Sequence, residues 1–387
     1  MGKALSSFSF PTATIFGAGA IAELPARLRQ MGGRKPLVVT DSGLVQTRAF
    51  QILGQTLGNQ QLGSAWELFH GVHSNPIEQD VADAAKVFRE AGCDSVIAFG
   101  GGSALDVGKA CRLLVKRPSL KLAQFNFNDD WSGLHRCICI PTTAGTGSEI
   151  GRSSVITLAG TQARSVIFLP RLLAKLVILD PELTVDLPPT LTAATGLDAF
   201  THCVESFTSP VYQPFCDGIA LEGIHMIADA LPKAFANGKD IEARGRMLVA
   251  AAMGGVAFQK DLGATHSLAH PLSALCGMHH GTANAICLPH VMEFNARRKP
   301  GLYRRIGIAC GLDVLRLKPD EADRKTIEFV KKFLAELGLA GKLRDYGVKE
   351  SLLEPLSLQA LADSCHATNP VPVNREDLKA LYQAALG

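Results

Sequence analysis

Five of the eleven histidines in this 387-residue chain fall between positions 266 and 290, at His266, His270, His279, His280 and His290. His266 and His270 are four residues apart in a helical pattern over residues 262–274, so both project from one face of that helix. His279 and His280 stand directly before Gly281 and a further helical pattern. Upstream, Asp198 and His202 repeat the four-residue spacing in Asp198-Ala-Phe-Thr-His202. Helix-borne donors that converge at the core of a helical domain are a common way to build a metal centre. Three imidazoles and one carboxylate suit Fe²⁺, Zn²⁺, Mn²⁺, Co²⁺ or Ni²⁺, and donor type alone does not choose among them. His70, His73, His135, His225, His290 and His366 lack such partners in the pattern and read as ordinary histidines.

A second chemistry-bearing region lies in the first half. Ser95–Phe99 is a short apolar run typical of a buried strand. Gly100-Gly101-Gly102 then forms a turn, and residues 103–115 a helix. Strand, glycine turn and helix together make an anion site: glycine lets the backbone approach a pyrophosphate, and the helix N-terminus offers free N–H groups. Ser103 is placed to cap that helix, and Asp106 follows three residues on. A hydroxyl-rich loop, Pro141-Thr142-Thr143-Ala144-Gly145-Thr146-Gly147-Ser148-Glu149, follows another apolar run and suits phosphate or ribose contacts. Asp41 ends an early strand, where its carboxylate would accept from an adenosine ribose and repel a 2′-phosphate, favouring NAD over NADP.

The elements that must position these groups fall into two halves. Short apolar runs at 36–40, 95–99, 137–140 and 176–179 alternate with helical patterns at 78–91 and 103–115. This predicts an α/β domain built on a mostly parallel sheet. After Asp186-Leu187-Pro188-Pro189 the β-branched runs give way to helical patterns over 192–207, 215–236, 241–258, 281–295, 322–337 and 375–385. We therefore expect an α/β dinucleotide-binding domain over 1–187 and an all-helical metal-binding domain over 188–387.

Composition narrows the class. A net charge of +3 and 19% charged residues give no basic surface for nucleic acid. The longest apolar stretches are too short for a bilayer, and the N-terminus has no signal-peptide core. Met1-Gly2-Lys3-Ala4-Leu5-Ser6 fits a short myristoylation pattern, set aside because so short a match arises by chance. Ten cysteines without a CxxC point to a reduced, cytoplasmic protein with buried thiols.

Taken together, Gly100-Gly101-Gly102-Ser103-x-x-Asp106-x-x-Lys109, Pro141–Glu149, residues 194–202, and His266-x-x-x-His270-Pro271-Leu272 with His280-Gly281 resemble the iron-containing (group III) alcohol dehydrogenases. The resemblance extends from Phe16-Gly17-Ala18-Gly19-Ala20 to Thr368-Asn369-Pro370. It implies a dinucleotide-binding α/β domain, a helical metal domain and an active site in the cleft between them. It also implies metal ligands Asp198, His202, His266 and His280, with Fe²⁺ the expected ion and Zn²⁺ the alternative. His270 would be the non-ligating histidine near the nicotinamide, relaying a proton. NAD contacts would fall on Asp41, Asn75, Gly101, Gly102, Ser103, Asp106, Thr142, Thr143 and Thr146, with Leu183 and Leu187 near the adenine. A lysine often found in the cofactor pocket stands here as Arg164.

The expected reaction is reversible hydride transfer between NAD⁺ and a primary alcohol, diol or hydroxy acid, in a homodimer or larger homo-oligomer. Related readings are a maleylacetate-reductase-like enzyme, whose metal-free plan the four ligands oppose, and a glycerol-dehydrogenase-like one. A dehydroquinate-synthase-like cyclase would need a basic cluster for a phosphorylated substrate, and the ligand region shows few basic groups. A non-catalytic metal-binding protein would bind metal and no dinucleotide.

Overall fold

The computed structural model describes residues 12–58, 65–160 and 164–387, and the myristoylation pattern lies outside them. The chain divides into two compact units. One comprises Pro11–Leu187 with Gly238–Leu248, the other Pro188–Asn237 with Val249–Gly387. The return of 238–248 to the first unit interrupts the second stretch.

Among the described residues the strands are β1 (Ala13–Phe16), β2 (Pro36–Val39), β3 (Glu67–Phe69), β4 (Ser95–Gly100), β5 (Arg136–Pro141), β6 (Ser153–Thr157), β7 (Arg164–Phe168) and β8 (Leu176–Leu179). The helices of this part are α1 (Leu24–Gln30), α2 (Arg48–Gly58), α3 (Glu78–Glu90) and α4 (Gly102–Lys116). Six strands form one sheet in the order β1-β8-β5-β4-β2-β3, with every pairing parallel. β2, β4 and β8 are buried along their whole length, as a parallel sheet covered on both faces requires. Val38, Ile97, Ile138 and Ile178 pack one face against Leu24, Leu28, Leu53 and Leu57 of α1 and α2.

The strand order reverses direction between β2 and β4. From β2 the chain moves outward to β3, then returns to β4 on the other side and continues to β5. Nucleotides bind outside the carboxyl ends of strands at such a reversal, and Asp41 and the Gly100–Gly102 turn follow those two strand ends. β6 and β7 form a separate antiparallel hairpin, which the short apolar runs did not reveal.

The second unit carries α5 (Pro189–Thr208), α6 (Pro214–Ala236), the later turns of α7 (Ile241–Ala257), α8 (Ala264–Cys276), α9 (His280–Arg298), α10 (Arg304–Ala309), α11 (Pro319–Glu336), α12 (Leu353–Ala362) and α13 (Arg375–Leu386). No strand is present in it among the described residues. Leu268, Leu272, Ile286, Val291, Leu356, Leu378 and Tyr382 form its core, bringing α8, α9, α12 and α13 together. No helix among the described residues is long and apolar enough to cross a membrane.

Candidate metal centre and nucleotide loop

α5 starts with Pro189 in its first turn and ends before Ser209-Pro210, where the residue preceding proline leaves the helical region. Asp198 and His202 lie one turn apart on its buried face. α9 approaches this face very closely at Gly281, where a Cβ would stand 1.9 Å from the Ala194 carbonyl oxygen. Only glycine permits that approach, and His280 is thereby set beside Asp198. α8 brings His266 from a third direction.

The Asp198 Oδ1 oxygen lies 3.6 Å from His202 Nε2, 3.7 Å from His266 Nε2 and 3.5 Å from His280 Nε2. The donor atoms of Asp198, His202 and His266 all lie within 4.8 Å of one another. A cation held tetrahedrally at about 2.1 Å sets its donors roughly 3.4 Å apart, so the donor set fits a small divalent ion in both spacing and chemistry. Asp198, His202 and His266 are buried, and the His280 side chain is about one-quarter exposed. Burial pushes the Asp198 carboxyl up, but His202, His280 and His266 outweigh it and hold the group well below the usual carboxylate range. Asp198 is therefore an anion at any physiological pH. His279 is exposed and serves as the residue before α9.

Three neighbours of this cage carry no sequence signal that singles them out. Glu205, three residues past His202, accepts from Thr265 N at 2.7 Å and Gly263 N at 3.1 Å at the start of α8, and from His266 Nδ1 at 2.6 Å. That last bond places the hydrogen on Nδ1 and turns a bare Nε2 toward Asp198, the carboxylate–histidine arrangement of many metal sites. Burial pushes Glu205 up, and the His266 and Thr265 hydrogen bonds more than reverse this. Asp363 accepts from His270 Nδ1 at 2.8 Å, Ser267 Oγ at 2.8 Å and Cys365 N at 2.9 Å. His270 itself stacks flat on His280, with ring centres 5.1 Å apart, and lies edge-on to His266 at 5.9 Å. Asn284, fully buried one turn past His280, donates to Asp198 Oδ1 at 2.8 Å. His73, His135, His225 and His366 pair with Asp80, Asp94 O, Ala309 O and Leu361 O, away from the cage.

In the first unit the glycine turn and the Pro141–Glu149 loop pack against each other. A Cβ at Gly102 would meet the Thr146 methyl at 2.7 Å, and Thr142 N donates to Gly100 O at 3.0 Å. Gly101 lies against Thr143, and Asp41 borders Gly100 while accepting from Leu44 N at 2.9 Å. Ser103 does not cap α4. The helix begins one residue earlier, and the Ser103 hydroxyl donates to Ser74 O at 2.7 Å, beside exposed Asn75. Among the described residues the N-cap of α4 thus makes no side-chain cap, as a phosphate site needs.

Asp106 is buried, and its carboxylate accepts from Ser148 Oγ at 2.5 Å and Val155 N at 3.0 Å and pairs with Lys109 at 3.2 Å. It anchors the loop from inside. Leu183 belongs to the sheet core, and Leu187 is half-buried. The Arg164 side chain lies outside what is described.

Two family models match the chain. "Iron-containing alcohol dehydrogenase" covers residues 11–181, and "Fe-containing alcohol dehydrogenase family, C-terminal" covers 192–386. The chain is 37% identical to 4-hydroxybutyrate dehydrogenase of Cupriavidus necator over 385 residues, covering 95% of this chain and 96% of that one. It is 32% identical to the NAD-dependent methanol dehydrogenase of Bacillus methanolicus, covering 99% and 100%. A crystal structure of 1,3-propanediol oxidoreductase matches with a TM-score of 0.94 at 34% identity, covering 98% of this chain and all of that one. A catalytic oxidoreductase class follows from these matches together with the cage. The chain belongs to the iron-containing alcohol dehydrogenase family.

Proposed function

We propose that this alcohol dehydrogenase interconverts a primary alcohol and its aldehyde with NAD⁺ and NADH, using a cation held by Asp198, His202, His266 and His280. Diols and hydroxy acids are included in the substrate class. The observation that carries the reading is the single Asp198 oxygen lying 3.5–3.7 Å from three imidazole nitrogens. Fe²⁺ is the favoured ion and Zn²⁺ fits the same donors. When bound, the ion supplies a Lewis acid that lowers the pKa of the alcohol hydroxyl and polarises the aldehyde carbonyl.

The protein's own groups do the rest. Glu205 holds the His266 ring so that Nε2 is the nitrogen offered. Asp363, which can only accept, keeps the hydrogen of His270 on Nδ1. His270 Nε2 is then the bare nitrogen that can take the substrate proton and pass it to solvent.

The uncapped start of α4 at Gly101, Gly102 and Ser103 would bind the pyrophosphate. Thr142, Thr143, Thr146 and Asn75 would contact phosphate and ribose, and Asp41 the adenosine ribose. Leu187 would flank the adenine, Leu183 being held in the sheet core, and Asp106 would act through the loop it anchors. Support for NAD comes from the named dependence of the methanol dehydrogenase relative. The 4-hydroxybutyrate and 1,3-propanediol relatives support short alcohols with a polar far end. The same reading makes the enzyme a cytoplasmic homo-oligomer, which light scattering on the purified protein would test.

The decisive experiment is turnover of a panel of alcohols and aldehydes with NAD(H) and NADP(H), on protein loaded separately with Fe²⁺ and Zn²⁺. NAD-linked, metal-dependent oxidation is expected. Metal binding without NADH binding or turnover would overturn the catalytic reading, and a preference for NADPH would overturn the role of Asp41.

A further inference from the structure

Asn284 is fully buried and turns the amide nitrogen toward the donor set. Nδ2 lies 2.8 Å from Asp198 Oδ1, 3.3 Å from His266 Nε2 and 3.3 Å from His280 Nε2. The other end of the amide, Oδ1, is buried with no hydrogen-bond partner among the described residues. A buried carbonyl left unpaired costs stability, and such an exception calls for a reason. The opposite orientation would press Oδ1 against an anionic carboxylate and two imidazole lone pairs. The amide therefore gives up its acceptor to point its donors at the cage.

An NH₂ group has two hydrogens and no lone pair to share, so it cannot ligate a cation. Facing three of the four donors, it closes the side of the cage bounded by Asp198, His266 and His280. It also fixes the orientation of the Asp198 oxygen that all three imidazoles surround. Ligand carboxylates held in this way bind metal more tightly than free ones.

Resting on the four-ligand reading proposed above, we infer that Asn284 is a positioning residue that denies solvent one face of the ion and sets the Asp198 ligand. The coordination position left for substrate then lies away from Asn284. Asn284→Ala opens a polar hole beside the cage, large enough for a water held by Asp198. That water adds to the ion's coordination number and weakens it as a Lewis acid. Asn284→Asp instead puts an anionic oxygen where the amide nitrogen stood, keeping the face closed and adding a ligand.

The test uses full-length protein stripped of metal and loaded with Co²⁺, whose visible bands are intense at four-fold coordination, intermediate at five-fold and weak at six-fold. Wild type is expected to show intense bands. Asn284→Ala is expected to show clearly weaker bands and about 10- to 100-fold lower Co²⁺ affinity in competition with a chelator. Asn284→Asp is expected to hold Co²⁺ at least as tightly as wild type. A residue that only packs the helices would shift melting temperature similarly in both variants and leave band intensity alone. Unchanged bands and affinity within about twofold in Asn284→Ala would overturn the inference while leaving the ligand set intact. If that variant does not fold, loss of Co²⁺ affinity in a folded Asn284→Asp overturns it instead. Failure of wild type to bind Co²⁺ at all would overturn the four-ligand reading itself.

Discussion

Glu205 sits three residues past His202 on α5 and spends its carboxylate on α8. One oxygen takes the Thr265 N–H, and the other takes the Gly263 N–H and the His266 ring hydrogen. Helix start and ligand orientation are thus coupled through one side chain. Glu205→Gln keeps the shape but places an NH₂ group against these donors, leaving at least one buried N–H unpaired. We expect a stability loss of about 1–3 kcal/mol and a metal affinity about 10- to 100-fold lower. Thermal melts and chelator competition on the same samples would check both, and an unchanged affinity would show that His266 needs no such orienting. Neither Glu205 nor Asp363 was legible in the sequence. Their partners lie 61 and 93 positions away, and an isolated acid in a helix looks like a solvated one. The pairing of Asp198 with His202 was legible because the helical period places them one turn apart within a single segment.

At the scale of elements, two close approaches hold the chemistry. α9 meets α5 through Gly281, where an added Cβ would stand 1.9 Å from the Ala194 carbonyl oxygen. Gly281→Ala must force the helices apart, costing at least about 1–3 kcal/mol and carrying His280 away from Asp198. A lower melting temperature together with loss of bound metal is expected. Loss of stability alone would mean that His280 is not fixed by this contact.

The Pro141–Glu149 loop is held by Asp106, Lys109 and Ser148. At the end of this loop, burial pushes the Glu149 carboxyl up to about 7 from its ordinary 4.5, with a backbone hydrogen bond and Lys109 only partly opposing. Between those two values the folded chain holds a proton that the unfolded chain has released, so stability falls as pH rises. The loss reaches about 3 kcal/mol above pH 7. Glu149→Gln should therefore match wild type near pH 4.5 and exceed it at pH 8. Equal melting temperatures at pH 8 would refute this. The hairpin of β6 and β7 was illegible for a related reason: β6 alternates half-buried and buried positions over only five residues, whereas β2, β4, β5 and β8 announce themselves as continuous apolar runs. β1 is mostly exposed and β3 half-buried along its three residues, so neither makes the fully apolar run that marks a buried strand.

On the scale of the whole molecule, the proposed reaction needs two reagents, and the residues proposed for each come from one unit. Every group of the cage, with Glu205, Asp363 and Asn284, comes from the helical unit, and every residue of the glycine turn, the Pro141–Glu149 loop and Asp41 from the α/β unit. Binding of metal and of dinucleotide should then be separable by mutation. His266→Ala removes an imidazole from the cage and leaves the phosphate loop untouched. It is expected to lose nearly all bound metal and turnover while its NADH dissociation constant, read by nucleotide fluorescence, changes less than about threefold. Asp41→Ala removes the carboxylate at the end of β2 and leaves the cage untouched. It should keep full metal content, raise the KM for NAD⁺ by about tenfold through one lost charged hydrogen bond, and accept NADP⁺ better than wild type. If His266→Ala lost NADH binding as well, or Asp41→Ala lost its metal, the two sites would be one cooperative assembly, and the independence drawn from their residue origins would be wrong.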